Sequence, residues 1–179
     1  MNSKQFIFNN NDKVMIYPCV ESSDKYSKKI TEIQLDLIID YLKKINLRYL
    51  IIIPLYEKNQ ITLNFINKHN SQIKFIDKFS NFKKLIQFFN EYDIYVGGDT
   101  FYYHLMTKAL MKKSFTFFGS TSYKRFIYKN ELTKYFYPDC PNYPTYNKYF
   151  FKIKYCNHCE TNYCIEKLNV KSLDIELIN

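Results

Sequence analysis

The stretch Gly97-Gly98-Asp99-Thr100, with His104 shortly after it, combines groups that could bind a phosphate. Glycine is needed where the backbone takes a positive φ or where a ligand approaches the main chain closely, and the chain has only three glycines. A helix beginning at Thr100 would present unpaired N–H groups and a partial positive charge, with His104 on the same face as Thr100. The sequence therefore predicts a ligand site here. The alternative is that Asp99 is an ordinary N-cap and His104 a packing residue.

A second polar cluster, running from Ser22 to Lys29, follows the first apolar run of the chain, Val14 to Tyr17. An anionic ligand needs hydroxyl and ammonium donors, which this cluster supplies from Ser22, Ser23, Lys25 and Lys28. We expect these groups to lie at the carboxyl end of the first strand. The alternative is an exposed polar loop without a ligand.

Cysteines near the C-terminus form a third cluster. Cys156-Asn157-His158-Cys159 is half of a zinc site, but no second closely spaced pair completes it. The remaining ligands would have to come from Cys164 and either Cys140 or His158. Buried thiols that pin the C-terminal turn are the favoured explanation, so we expect no metal here. Because the predicted core is complete before Cys140, folding should not require zinc.

The elements that must position these groups are strands alternating with helices. Short apolar runs predict strands at Val14 to Tyr17, Leu50 to Ile53, Ile73 to Ile76, Ile94 to Val96 and Phe115 to Phe118. Further candidate elements are helices from Ile61 to Lys68 and from Thr100 to about Met111, strands at Tyr135 to Tyr137 and Tyr149 to Tyr155, and a final helix at Leu173 to Ile178. Repeated strand and helix units with short connections require a parallel sheet with helices on both faces.

Two helices carry start signals. Thr31-Glu32-Ile33-Gln34 is a capping box, and Asn46 is a plausible left-handed cap at the other end of that helix. Its predicted inner face consists of Ile33, Leu37, Ile38, Tyr41, Leu42 and Ile45. Ser80 is predicted to cap a later helix, whose inner face would be Phe82, Leu85, Ile86 and Phe89.

The length of 179 residues and the 46% hydrophobic content fit a single domain, 1–179. We expect its core at about 13–137 and a cysteine-rich tail at about 138–179. The net charge of +9 raises nucleic acid or an anionic membrane as partners. Lysine is spread from end to end, however, so a solvated lysine surface is the favoured explanation and no nucleic acid is expected.

The location of the protein follows from two further features. No apolar run approaches the ~18 residues of a membrane span, and Met1-Asn2-Ser3-Lys4 does not begin a signal peptide. We therefore expect a cytoplasmic protein. In that compartment the five cysteines would be thiols or metal ligands rather than disulfides.

The run from Ile94 to Leu105, continued by Phe115 to Thr121, resembles the donor-site signature of the heptosyltransferase family, glycosyltransferase family 9. That signature is a strand, an Asp-Ser/Thr-Gly-x-x-His turn into a helix, and a second strand ending in Phe-Gly-x-Thr. The family's Lys-x-Trp-Pro motif aligns with Lys28-Lys29-Ile30-Thr31, with Lys25 as the competing register. Its hydrophobic positions then fall on Leu35, Ile38, Ile39 and Leu42. The resemblance extends from about Lys13 to Val170.

The resemblance implies a Rossmann-like domain that matches the C-terminal, nucleotide-sugar-binding half of a GT-B glycosyltransferase. The family's activity is inverting, metal-independent transfer of a heptose or hexose-like sugar to lipopolysaccharide or a related surface glycan. Lys28 and His104 would stabilise the diphosphate leaving group, Asp99 and Thr100 would hold the sugar or the phosphates, and Glu57 the ribose. The donor would be ADP-, UDP- or GDP-linked. No cofactor is implied, and peripheral contact with the inner membrane would be expected.

The chain departs from the family in two respects. Phe101 stands where the family has glycine, and Tyr102 stands where it has a small residue or proline. The N-terminal half, which carries the acceptor site and the base, has no counterpart here. A fragment, one part of a split enzyme with a separate acceptor-domain chain, and an inactive relative remain as alternatives.

A function of a different class is also open. A basic, aromatic-rich domain could be a non-catalytic module that contacts nucleic acid or a partner protein through its lysines and its cysteine-rich tail.

Overall fold

Parallel strands form the centre of the molecule. A computed structural model describes residues 9–19, 29–119 and 132–137. The six strands are β1 (Lys13–Tyr17), β2 (Arg48–Pro54), β3 (Ile73–Ile76), β4 (Ile94–Gly98), β5 (Lys113–Phe117) and β6 (Thr133–Phe136). They form one sheet in the order β3-β2-β1-β4-β5-β6, and every neighbouring pair is parallel. The predicted parallel α/β fold is confirmed, and the candidate strand near Tyr135 is β6.

Helices connect the strands. They are α1 (Glu32–Lys44), α2 (Leu63–Lys68), α3 (Phe82–Asn90) and α4 (Phe101–His104), which continues as a π-helical segment, Leu105–Ala109. Two 3-10 segments, Leu55–Gln60 and Asn70–Gln72, flank α2. Because parallel crossovers are right-handed and the strand order reverses after β3, α1 and α2 cover one sheet face and α3 and α4 the other. No helix within these described residues is long and apolar enough to cross a membrane.

The start signal of the first helix is confirmed, and its predicted inner face is confirmed in part, since Ile38, Tyr41 and Leu42 are buried. Thr31 and Gln34 form the reciprocal capping box, and Asn46 has a φ of 56° after the helix. However, Ile33 is 76% exposed and Leu37 is 41% exposed. The buried stripe also includes Gln34, Leu35 and Ile39, which were not on the predicted inner face. The stripe that packs on the sheet is centred on positions 35, 38, 39 and 42, and Ile33 and Leu37 lie to one side of it.

The third helix also differs from its prediction. Its N-cap is Asn81 rather than Ser80, since the Asn81 side chain accepts a hydrogen bond from the Lys84 N–H at 2.9 Å. Beginning one residue later puts Phe82 in the first turn, where it is 61% exposed instead of packed in the core. The predicted inner residues Leu85 and Phe89 are buried.

An aromatic contact connects β1, α3 and α4. The Phe89 and Tyr102 rings are stacked at 4.9 Å with an interplanar angle of 9°, and Tyr17 lies 4.5 Å from Tyr102. All three side chains are buried. The contact fixes the start of α4 against the middle of the sheet, next to the end of β4.

Ionic contacts join the two helices on the other face. The Asp36 carboxyl of α1 bonds to Lys68 Nζ at 2.7 Å and to His69 Nε2 at 2.8 Å at the end of α2. Burial would raise the pKa of Asp36, but the hydrogen bonds and charges of Lys68 and His69 outweigh it and lower the pKa. The carboxylate form therefore contributes to the packing of α2 on α1.

Replacing Asp36 with Asn should destabilise the fold in a pH-dependent way. A carboxyl whose pKa is lowered by folding stabilises the protein above its ordinary pKa, and this contribution disappears as pH falls through the folded-state pKa. We expect a loss of about 1 kcal/mol in the free energy of unfolding near neutral pH, shrinking to nothing in strong acid. Urea unfolding of the wild type and the variant across a pH series measures this loss of stability and its pH dependence. Asp40→Asn, one turn further along α1 and exposed, is the control; a loss that is equally large in strong acid would contradict the assignment.

Candidate functional site

The site lies where the strand order changes direction. β1 is paired with β2 on one side and with β4 on the other, with Tyr17 opposite Gly97 at the carboxyl ends. The connections that leave these two strands go to opposite faces of the sheet, which opens a crevice between them. Asp99 follows β4 at this crevice, and Thr100 follows Asp99.

Gly97 has a packing role that was not predicted. Gly97 and Gly98 belong to β4, and neither has a positive φ. A Cβ at Gly97 would lie 2.3 Å from the Tyr95 hydroxyl and 2.8 Å from the Tyr17 carbonyl oxygen. Gly97 is therefore required because the ring of Tyr95 lies across it. Of the two reasons expected for glycine here, a positive φ does not apply to Gly97.

Tyr95 organises the turn after β4 from inside the protein. Its hydroxyl donates to the Gly98 carbonyl oxygen at 3.0 Å and lies 3.2 Å from Thr100 Oγ1. The side chain is fully buried, and burial raises its pKa well above the ordinary tyrosine value. The phenol is therefore neutral and available as a donor over the whole physiological range.

Thr100 is the residue that precedes α4. It has an extended conformation, with φ −130° and ψ 171°, and its carbonyl oxygen accepts from the His104 N–H at 3.3 Å. Its side chain makes no capping hydrogen bond to the helix. The predicted helix start is thus confirmed, with Thr100 rather than Asp99 at the N-cap position. The helical segment ends at Ala109, two residues before the predicted end.

Asp99 and His104 form the polar pair of the site. His104 Nε2 lies 3.4 Å from Asp99 Oδ1, the Asp99 carboxyl is buried, and the imidazole is partly exposed. The two side chains meet because one turn of helix brings residue 104 back over the end of β4. The structure therefore brings together three of the predicted site residues, Asp99, Thr100 and His104.

Glu57 lies at the same sheet edge but further away. It is half-buried in the 3-10 segment that follows β2. Since β1 separates β2 from β4, the two strand ends are about 10 Å apart. A ligand that touches both Glu57 and Asp99 must therefore extend across the end of β1.

Several predicted site residues lie outside the described residues: Ser22, Ser23, Lys25, Lys28, Cys140, Cys156, Cys159 and Cys164. The end of the lysine cluster is described, because Lys29 Nζ donates to the Gln60 carbonyl oxygen. That contact anchors residue 29 at the end of the segment that carries Glu57. Within the described parts of the chain, no three His, Cys, Asp or Glu side chains are grouped as a metal site.

An aromatic cleft of about 390 Å³ lies along the carboxyl edge, and Phe101, the residue after Thr100, is part of its lining. Its rim is formed by Tyr56, Phe82 and Phe101, and all three are exposed. Phe101 is 54% exposed and packs edge-on against Tyr102 at 5.6 Å. The polar side chains at the cleft include Asp77, Lys78 and Asn81. The sequence analysis did not predict this cleft. The available signal was a large aromatic residue at the first position of two helices, Phe82 and Phe101, where a side chain need not pack into the core.

The strand order and the crevice define an α/β domain of Rossmann-like architecture with a candidate ligand site at the carboxyl edge. In comparisons with known proteins, no family model, no curated protein and no solved structure matches the chain. The site must therefore be interpreted from its own residues.

Gly97→Ala should destabilise the protein by about 1–3 kcal/mol, the usual cost of inserting a methyl group into a packed interior. The added Cβ would collide with the Tyr95 side chain and with the Tyr17 main chain. Urea unfolding measures the change. In a Tyr95→Leu background the same substitution should cost less, because the ring is gone and only the main-chain contact remains. An equal cost in both backgrounds would show that Tyr95 does not impose the glycine.

Proposed function

We propose that the chain is the nucleotide-sugar-binding domain of a heptosyltransferase-like, family 9 glycosyltransferase acting in the synthesis of lipopolysaccharide or a related surface glycan. The observation that carries the proposal is the convergence of Asp99, Thr100 and His104 beside the β1–β4 crevice, next to an aromatic cleft. A nucleotide-sugar needs a polar centre for its diphosphate and sugar and a flat apolar surface for its base, and both are present on one edge.

Each part of the ligand has a matching group. The exposed rings of Phe82 and Phe101 offer faces on which a base can stack, an interaction that is usually worth about 1–3 kcal/mol. Lys78 Nζ lies over the Tyr56 ring, 5.4 Å from its centroid. His104 would contact the diphosphate, and Glu57 the ribose, since both flank the end of β1. Lys28 would approach the diphosphate from the cluster that follows β1.

In the proposed mechanism, charge builds up on the departing diphosphate and is stabilised by fixed donors rather than by a metal. His104 and Lys28 are the groups of this chain that would supply that stabilisation. Transfer further requires a base and an acceptor hydroxyl held within about 2.6–3.2 Å of each other. The resemblance assigns these to an opposing domain, so the chain would supply the donor half of a complete enzyme.

Nucleotide-sugar binding should depend on His104 and on one lysine of the cluster. We expect His104→Ala and Lys28→Ala each to weaken binding by about 1.5–3 kcal/mol, the size of a charge-assisted hydrogen bond. Calorimetric titration with ADP-, UDP- and GDP-linked sugars measures the effect, and Lys43→Ala at the other end of α1 is the control. If Lys25→Ala weakens binding and Lys28→Ala does not, the alternative register is correct. If none of these changes matters, the site is wrong.

A DNA titration of the same protein distinguishes a nucleotide-sugar-binding domain from a nucleic-acid-binding module. Duplex DNA titrated at low and high salt should bind weakly and without competing with nucleotide-sugars. Steep salt-dependent DNA binding, with no selectivity for nucleotide-sugars, would favour the alternative function.

The chain by itself should bind donor without transferring sugar, because its carboxyls at the site, Asp99 and Glu57, belong to the donor side. The assay is incubation with ADP-heptose, UDP-sugars or GDP-sugars and truncated lipopolysaccharide acceptors, followed by detection of glycosylated acceptor. Repeated turnover would show that the chain completes the site without a separate acceptor domain.

A further inference from the structure

The hydroxyl groups of Tyr95 and Thr100 can be assigned as donor or acceptor from their partners. The Gly98 carbonyl oxygen can only accept, so the single hydroxyl proton of Tyr95 is given to Gly98 at 3.0 Å. In the hydrogen bond of 3.2 Å between the Tyr95 and Thr100 hydroxyls, Thr100 must then be the donor and Tyr95 the acceptor. The only proton of the Thr100 hydroxyl therefore points into the protein.

The two lone pairs of Thr100 Oγ1 are not used by the helix that follows. An N-cap threonine ordinarily accepts a hydrogen bond from a backbone N–H in the first turn, but Thr100 makes no such bond. The residue is partly exposed at the crevice. Next to it is Asp99, whose carboxyl oxygens also accept hydrogen bonds. An ionised phosphate oxygen has no proton to offer to acceptors, whereas a hydroxyl group has one.

We propose that Tyr95 is a specificity-determining residue. Because the Tyr95 hydroxyl accepts the hydrogen bond that Thr100 donates, Thr100 Oγ1 can only accept from a ligand, beside Asp99. This corner of the site therefore binds a hydroxyl group of the ligand and excludes a phosphate oxygen. The inference rests on the proposed nucleotide-sugar site and assigns Asp99 and Thr100 to the sugar rather than to the diphosphate. Tyr95 itself touches no ligand and acts through Thr100.

The test compares each nucleotide-sugar with its nucleoside diphosphate: ADP-glucose with ADP, UDP-glucose with UDP, and GDP-mannose with GDP. The measured quantity is the ratio of the two dissociation constants, by calorimetry on the full chain. Thr100→Val should lower the preference for the sugar conjugate about fivefold, the value of one hydrogen bond. Thr100→Ser, which keeps the hydroxyl, should preserve it.

The Tyr95→Phe variant distinguishes a loss of specificity from a general loss of ligand affinity. With the phenol oxygen gone, the Thr100 hydroxyl can donate outward, so the diphosphate should bind as well as before or better while the sugar conjugate binds less well. Tyr92→Phe, a buried tyrosine at the opposite edge of the sheet, is the matched control. If Thr100→Val or Tyr95→Phe leaves the ratio unchanged, the inference is wrong.

A second measurement needs no ligand. The Thr100 hydroxyl proton should exchange slowly with water by NMR in the wild type and rapidly in Tyr95→Phe. Equal exchange in both proteins would overturn the assignment of donor and acceptor. A wild-type chain that binds neither member of any pair contradicts the proposed function, and slow exchange in that chain would still confirm the orientation of the hydroxyls.

Discussion

The pairing of β1 with β4 is the constraint on which the candidate site depends. β1 lies in the centre of the sheet with β2 on one side and β4 on the other, so the connections that leave β1 and β4 must cover opposite faces. The carboxyl ends of these two strands are consequently not closed over by a single helix. Ionic contacts at Asp36 hold the helices of one face, and the stack of Phe89 on Tyr102 holds those of the other. The crevice between them is therefore a fixed feature of the fold.

Within that crevice, one buried tyrosine determines both the backbone and the chemistry of the turn after β4. The Tyr95 ring crosses Gly97, which excludes any side chain there, and its hydroxyl bonds to Gly98 and Thr100. The same contacts leave Asp99 and His104 facing each other across the start of α4. Packing inside the sheet is thus coupled to the polar groups at its edge. A second cleft of about 280 Å³, lined by Lys13, Arg48 and Lys74 at the amino ends of the strands, has no such coupling among the described residues.

Most of the sheet could be predicted because buried parallel strands are short, continuous apolar runs, and β3 has the predicted bounds Ile73–Ile76. The inner face of α1 could be predicted only in part: Ile38, Tyr41 and Leu42 are buried as expected, but Ile33 and Leu37 are as apolar as the buried Leu35 and Ile39, and only the sheet decides between them. The grouping of Asp99, Thr100 and His104 was predictable from their spacing along one helix turn. The role of Tyr95 was not, because it depends on a contact across the strand surface that leaves no periodic signal in the sequence.

The central claim is that nucleotide-sugars bind at the carboxyl edge of the sheet. It is tested most directly by following the backbone amide NMR signals of the labelled chain during titration with ADP-, UDP- and GDP-linked sugars. The account predicts saturable shifts of the amide signals of residues 97–104 and of those around Glu57, with no change around Lys13 and Arg48 at the opposite edge. Shifts confined to the amino edge, or no saturable shift with any of these ligands, would contradict it.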